Sequence, residues 1–393
     1  MGRAWVFYLA SYLSSSLGAV FGALFIVYLL SINFVPAQIG LLLGAQRIAI
    51  LVSEVPTGIF ADKFGRKKSI LLSFFFSAAL SIFWLFTKNF STLLVISALS
   101  GIAFTFQSGA KESLMIQSLN CGQNDTKRNS LFKRMSIWSN IGLFSGGLIA
   151  LGLALIQTRF IWVAAACLNL LLFLVFLVFV SEKSQVAENY TQGIPRISFV
   201  NFLQSIKETL PFLVITFIFG IATSIYGISF PIFFKKFLNF PDYYFGILGS
   251  LSALVGMAGI MIMTKIFDKK GFRYVANILV FPMALLFMAF GVLRPIGLIL
   301  IVFFLIEGLI NGWFPVFQSF FNKFISDKIR TTVLSASSVV SLIAIALGEI
   351  AGGFLLKVFK PNSLIAFSSI FLLLLLSPLW KIRQRQTKNP LAT

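Results

Sequence analysis

GIFADKFGRKKS, Gly58 to Ser69, joins two long apolar runs through a connection holding Asp62, Gly65 and the cations Lys63, Arg66, Lys67 and Lys68. The flanking runs, 36–61 and 69–87, are long enough to cross a bilayer as helices, for which roughly 20 residues suffice. The connection is too short to fold by itself. Its charges must therefore act on the two helix ends that it ties together.

The same alternation of long apolar runs and short charged connections fills the chain. Of 393 residues, 58% are hydrophobic and 11% charged, with a mean hydropathy of +0.94, which is more apolar surface than a soluble core hides. Hydropathy and loop punctuation predict spans at 5–30, 36–61, 69–87, 90–117, 134–156, 159–181, 209–234, 243–266, 274–293, 295–321, 333–358 and 363–380. The fold class is thus all-α integral membrane, with twelve transmembrane helices. The first span is too long for a cleaved signal peptide, and only Arg3 precedes it, so it is expected to stay as a helix. Residues 1–181 read as a first six-helix half and 182–208 as a polar linker carrying Gly193-Ile194-Pro195; 209–393 read as a second six-helix half with a short basic tail. This leaves no room for a soluble catalytic domain.

The formal net charge of +20 would suggest nucleic acid in a soluble protein, so the position of the cations matters. Most of the 32 Lys and Arg fall in the termini and in alternate connections, such as 63–68, 127–134, 265–273 and 381–388. The opposite set of connections holds Lys88, Arg159, Lys235, Lys236, Arg294, Lys357 and Lys360. The bias puts both termini in the cytoplasm and the cations beside anionic membrane lipids, and nucleic acid is not expected as a partner. Plasma (inner) membrane localisation in a bacterium is the corresponding expectation.

The chain has no histidine, which removes His-dependent catalysis, His-based zinc sites and any His proton relay. Proton chemistry must use carboxylates. Cys121 falls in a connection and Cys167 inside the sixth span, so neither is placed to form a disulfide. No cofactor and no metal are expected.

Sliding the sequence along itself exposes a repeat. At an offset of 206, which carries Asp62 onto Asp268, Asn33-Phe34 falls on Asn239-Phe240, Gly40 on Gly246, Gly65 on Gly271, Gly142 on Gly348 and Gly146-Gly147 on Gly352-Gly353. Each half has an even number of spans, so the two enter the membrane in the same orientation, with an axis along the membrane normal and a substrate site between them.

The stretch GIFADKFGRKK resembles the connection between the second and third helices of the major facilitator superfamily, written G-x-x-x-D-R/K-x-G-R-R/K. Gly58, Asp62, Lys63, Gly65, Arg66 and Lys67 fit it, and TKIFDKKGFR, with Asp268 and Gly271, is similar to its degraded copy between helices eight and nine. The resemblance implies a latch that stabilises the outward-facing state of an alternating-access transporter against the other half, carried by Gly58, Asp62, Gly65, Arg66 and Lys67 with Asp268 and Gly271. It also implies that a monomer suffices. Physically, Gly58 would admit a close helix, while Asp62 would hold Arg66 across the turn that Gly65 permits. The alternative is a positive-inside anchor and nothing more.

EVPTG at 54–58 and SGAKES at 108–113 are similar to a drug-efflux-like bacterial branch of the superfamily. Two departures stand out. The helix 4 pattern R-x-x-x-G has Ser97 in place of Arg, with Gly101 kept, and the helix 5 exporter pattern is reduced to GLFSGG, 142–147, without proline.

Ionisable residues within spans are costly and mark candidate sites. Arg47 and Glu307 fall near the middle of their spans, while Glu54, Glu112 and Glu349 fall nearer the ends. Gly40, Gly44, Arg47, Glu54 and Gly58 share a stripe, as do Glu307, Asn311, Gln318 and Asn322. In the fourth span Ser97, Ser100, Gln107 and Lys111 share one face, and Gly101, Thr105, Ser108 and Glu112 the next. Arg47, Glu54, Gln107, Lys111, Glu112, Glu307, Asn311, Gln318 and Glu349 are therefore the candidate substrate or coupling residues. Glu307, Glu54 or Glu112 is the candidate proton carrier. The competing reading makes these residues structural ion pairs or hydrogen-bonded neutral acids.

Three Gly-x-x-x-Gly pairs, Gly18/Gly22, Gly142/Gly146 and Gly348/Gly352, are expected to let helices approach. Phe104, Tyr226, Trp313 and Phe314 are candidate aromatic walls for an amphipathic ligand. Together these features point to a transporter, not an enzyme: proton-coupled export of a small amphipathic molecule, such as a drug, antibiotic, siderophore or other metabolite. The expected partners are that substrate, protons and membrane lipids. Proton-coupled import of a nutrient or peptide, or lipid flipping, is the alternative.

Overall fold

A computed structural model describes residues 4–119, 121, 125–182, 199–324, 330–376 and 378–379. These residues form twelve α-helices: α1 (Ala4–Ser31), α2 (Pro36–Phe64), α3 (Arg66–Phe86), α4 (Phe90–Thr105), α5 (Ala110–Ser118), α6 (Asp125–Ile156), α7 (Phe160–Phe179), α8 (Phe199–Ile232), α9 (Asp242–Val292), α10 (Ile296–Phe324), α11 (Arg330–Leu355) and α12 (Pro361–Leu374). Eleven stretches are long and apolar enough to cross a membrane, and Pro361–Leu374 is apolar but shorter. The predicted all-α architecture is present, with twelve helices and eleven stretches able to span a membrane among the described residues. Most of the predicted linker, residues 183–198, and the basic tail lie outside the described residues.

Helices dominate because a bilayer offers no hydrogen bonds to a bare backbone, and a helix satisfies its own N–H and C=O groups. Local chemistry sets the ends. Pro36 and Pro361 open α2 and α12, where a missing N–H costs nothing. The Asn89 side-chain oxygen accepts the Thr92 N–H at 3.1 Å and caps α4. A π-helical turn, Phe233–Phe237, continues α8 two residues beyond Pro231, whose ring removes a backbone donor.

Several predicted boundaries differ: α6 begins at Asp125 where the sequence reading starts the span at 134, α8 begins at Phe199 inside the predicted linker, and two spans divide differently. The fourth span is one helix in the sequence reading but is interrupted at 106–109, where Gly109 has φ +68, giving α4 and α5. The eighth and ninth spans are continuous as α9 except at Gly271, whose φ of 75 and ψ of 175 redirect the chain in a single residue.

The internal repeat is written into the backbone. Asn33 and Asn239 are the positive-φ residues other than glycine among the described residues, at 66° and 53°, and they stand at the same 206-residue offset as Gly65 and Gly271, at 106° and 75°. Asn tolerates this left-handed region at a helix end, and glycine enters it without a Cβ penalty.

The chain divides into two compact units, Met1–Gly193 with Leu238–Ala253, and Ile194–Phe237 with Leu254–Thr393. Within the first, α1 and α6 pack so closely at Gly142 and Gly146 that a Cβ at either would meet the carbonyl oxygens of Tyr12 and Ser16. The start of α9 belongs to this unit and seats Ser250 on α6: its hydroxyl donates to the Phe144 carbonyl at 3.0 Å, over the bare Cα of Gly147. Within the second unit, Gly348 and Gly352 meet Ile221, Ser224, Ile225 and Ile228 of α8, and Gly259 of α9 meets Gly308 of α10. Dispersion between close backbones drives such pairs, because lipid is as apolar as leucine. Gly18 and Gly22 behave otherwise: a Cβ at either has open space, so this pair makes no close crossing.

Candidate functional site

In the first unit the charged connection is built around Gly65. Its N–H closes α2 on the Ala61 carbonyl at 3.0 Å, and the next residue opens α3. Arg66 reaches back to Asp62 at 3.8 Å, as the spacing predicts, but both side chains remain over a third exposed. The stronger hold comes from Glu182, just beyond α7. Its Oε1 accepts the backbone N–H of Arg66 at 2.8 Å and its Oε2 that of Lys67 at 3.0 Å, while Lys67 Nζ donates to the Leu177 carbonyl at 2.9 Å. A carboxylate at the N-terminus of a helix satisfies orphan donors and complements the helix dipole. Sequence reasoning missed Glu182, because its partner lies 116 residues away. Its signal was present: it is the one acid between the sixth span and the linker's next acid, Glu188.

Gly58 departs from the expected close approach, since a Cβ there would meet nothing within 4 Å. The second copy of the motif is also looser. Asp268 is exposed, Gly271 has open space around it, and Lys270 donates to the Tyr274 hydroxyl at 3.1 Å with its Nζ 4.2 Å from that ring's centre.

The polar faces of the fourth span are only in part a lining. Ser97 is buried and donates to the Leu42 carbonyl at 2.7 Å, and buried Thr105 shares a 3.1 Å hydrogen bond with Ser53. These hydroxyls fasten α4 to α2. Gly101 completes the contact, where a Cβ would meet the Gln46 carbonyl oxygen at 2.5 Å. The break at 106–109 then ends the face arithmetic, so Lys111 and Glu112 belong to the first turn of a new helix. Ser69 of α3 donates to the Phe106 carbonyl, freed by that break, at 2.5 Å. Arg47, Glu54, Gln107 and Lys111 are partly buried, and Glu112 is exposed.

In the second unit the predicted stripe is on α10. Glu307 is partly buried near the middle of the span Ile296–Asn322, and Oε1 accepts the Tyr226 hydroxyl of α8 at 3.1 Å. Asn311 donates its amide to the Glu307 main-chain carbonyl at 2.8 Å, against Gly256, where a Cβ would lie 3.0 Å from the Asn311 side chain. Gln318 is partly buried. Glu349 is buried on α11 with 7% exposure. The aromatic wall forms only in part: Phe104 and Phe314 are exposed, whereas Tyr226 and Trp313 are each 2% exposed. Trp313 stacks between Phe219 and Phe317, at 5.4 Å from each.

Both cysteines are free, Cys121 buried and Cys167 exposed. Among the described residues no cluster of acids and cysteines is arranged to hold a metal ion.

The profile of the Major Facilitator Superfamily matches residues 4–349. The chain belongs to that superfamily. A Bacillus subtilis (strain 168) protein, described as an uncharacterized transporter of the superfamily, YxaM, is 26% identical over 385 residues, covering 94% of this chain and 93% of its own. Among solved structures, the nucleoside transporter NupG superposes with a TM-score of 0.81 at 16% identity, over 97% of this chain and 99% of NupG. A bacterial homologue of the human lysosomal transporter Spinster, in an inward-facing and unoccupied conformation, superposes with a TM-score of 0.71 at 13% identity, over 98% and 96%. This superfamily member is therefore a multi-pass plasma-membrane transporter and not an enzyme.

Proposed function

We propose that this chain is a proton-coupled secondary transporter working by alternating access, that Glu307 carries the coupling proton, and that the cargo is a small amphipathic molecule moved outward. The observation that supports this is the Glu307 carboxyl, half-way along a membrane span, with a neutral phenol as its hydrogen-bond donor. An ionisable residue inside a span is costly and by default marks a functional site, and the phenol donor occupies one carboxyl oxygen and leaves the other able to take a proton. Arg47, Lys111, Gln107, Glu54, Glu112, Asn311, Gln318 and Glu349 are proposed contributors to binding and coupling. The connection 58–68 with its copy at Asp268 and Gly271 is the proposed conformational latch. Residues 1–181 and 209–393 are the two proposed moving halves, with both termini cytoplasmic, anionic lipid beside the basic connections, and a monomer as the working unit.

The test is proton flux in oriented proteoliposomes carrying an internal pH dye, under an imposed pH gradient, with ethidium, a siderophore, a dipeptide and uridine added in turn. Uridine is included because NupG is a nucleoside transporter. Proton movement evoked by one compound and abolished in Glu307→Gln supports the proposal. Counterflow of protons and cargo gives export, while parallel flow gives the uptake alternative. Cargo that crosses with no proton movement removes the coupling role and leaves a facilitator or flippase.

A further inference from the structure

We infer that Tyr226 is the positioning residue of the Glu307 carboxyl, holding Oε1 so that a proton is taken up and released at Oε2 without the carboxyl turning. This deepens the reading of Glu307 as coupling group and rests on it. Tyr226 is 2% exposed, and its ring is packed against Phe230 at 5.3 Å and Phe287 at 5.2 Å, with Phe290 edge-on at 6.5 Å. Those contacts hold the phenol ring in place. From there the hydroxyl donates to Glu307 Oε1 at 3.1 Å across 81 residues of chain.

The stereochemistry follows from the donor inventory. A neutral phenol donates one hydrogen bond, and an ionised carboxyl accepts on both oxygens. With Oε1 occupied, the incoming proton bonds to Oε2. Oε1 then becomes the carbonyl oxygen of the acid and still accepts from Tyr226. Loss of the Oε2 proton to water restores the starting state, so one proton moves and the phenol keeps its own. Asn311 directs one amide N–H to the Glu307 main-chain carbonyl at 2.8 Å and not to the carboxyl. Tyr226 from α8 is the titratable side chain hydrogen-bonded to Glu307 among the described residues, and α9 packs the phenyl rings of Phe287 and Phe290 against Tyr226.

The test is infrared difference spectroscopy of the purified chain in lipid nanodiscs across a pH titration, which needs no cargo. The C=O stretch of protonated Glu307 is assigned as the band lost in Glu307→Gln. In Tyr226→Phe, which keeps the ring and its packing, that band is expected at higher wavenumber, because a C=O that accepts no hydrogen bond is stiffer. Uniform 3-fluorotyrosine in the unmutated chain provides a second arm if the variant does not fold: the more acidic phenol is expected to move the band down. A Glu307 band unchanged in both arms overturns the role of Tyr226 and leaves the coupling proposal standing. Absence of any Glu307-dependent band overturns the coupling proposal, and the role of Tyr226 with it.

Discussion

The carboxylate of Glu182 accepts the backbone N–H of Arg66 at 2.8 Å, so the end of the sixth span is fastened to the first residue of α3. With the second bond from Lys67 at 3.0 Å, it closes the N-terminus of a helix whose own connection supplies no side-chain cap. Removing the acceptor should cost about 1 kcal/mol and at most about 2, the range for lost helix caps. Glu182→Ala is expected to lower the thermal unfolding midpoint in detergent micelles. Glu182→Gln, which keeps a neutral acceptor, should fall between the variant and the parent.

The Asp62–Arg66 pair carries the opposite expectation. At 3.8 Å, with side chains 44% and 36% exposed, it is a solvent-screened contact worth about 0–1 kcal/mol. Loss of that pair in Asp62→Asn should by itself cost no more than about 1 kcal/mol. If its transport rate falls while stability holds, the residue acts on the conformational cycle, as the latch proposal requires. Equal loss of both would make it a structural residue only.

The glycine pairs separate by what surrounds them. A Cβ on Gly146 would press on the Ser16 carbonyl oxygen and lie 2.8 Å from the Ala19 Cβ, whereas at Gly22 it would meet nothing within 4 Å. Overpacking of this kind costs about 1–3 kcal/mol. Gly146→Ala should therefore broaden the size-exclusion peak and lower the unfolding midpoint. Gly22→Ala should do neither.

The spans, the repeat and the twisted residues at its joints were legible because each is local or periodic. Apolar runs announce helices, and Asn33, Asn239, Gly65 and Gly271 coincide under one offset. The candidate site was legible only by residue type. Glu307 stood out as an acid in a span, but its partner is 81 residues distant and Glu182's is 116, and spacing along one helix says nothing about such pairs. The break before α5 was hidden because residues 90–117 read as one apolar span, and hydropathy does not register a turn at 106–109. Gly58 and Gly18 show the converse error. A small residue permits close approach without requiring it, and whether a neighbour uses the space is decided by tertiary packing.

The two copies of the motif allow the cost of backbone twist to be separated from the cost of lost space. Gly65 and Gly271 both hold positive φ, at 106° and 75°, so alanine at either strains the backbone by about 1–2 kcal/mol. Only Gly65 has a neighbour in the way, with Glu182 Oε2 lying 2.9 Å from where a Cβ would stand and nothing within 4 Å at Gly271. Gly65→Ala should therefore push the carboxylate off the α3 N–H groups and lose the cap as well as suffer the strain. Its unfolding midpoint is expected to fall further than that of Gly271→Ala. Adding Glu182→Ala to each should narrow the gap, because the double variant Gly65→Ala with Glu182→Ala has no carboxylate left to displace. If the two single variants fall equally, and Glu182→Ala adds the same amount to both, the carboxylate moves aside freely and is not what fixes Gly65 in the motif.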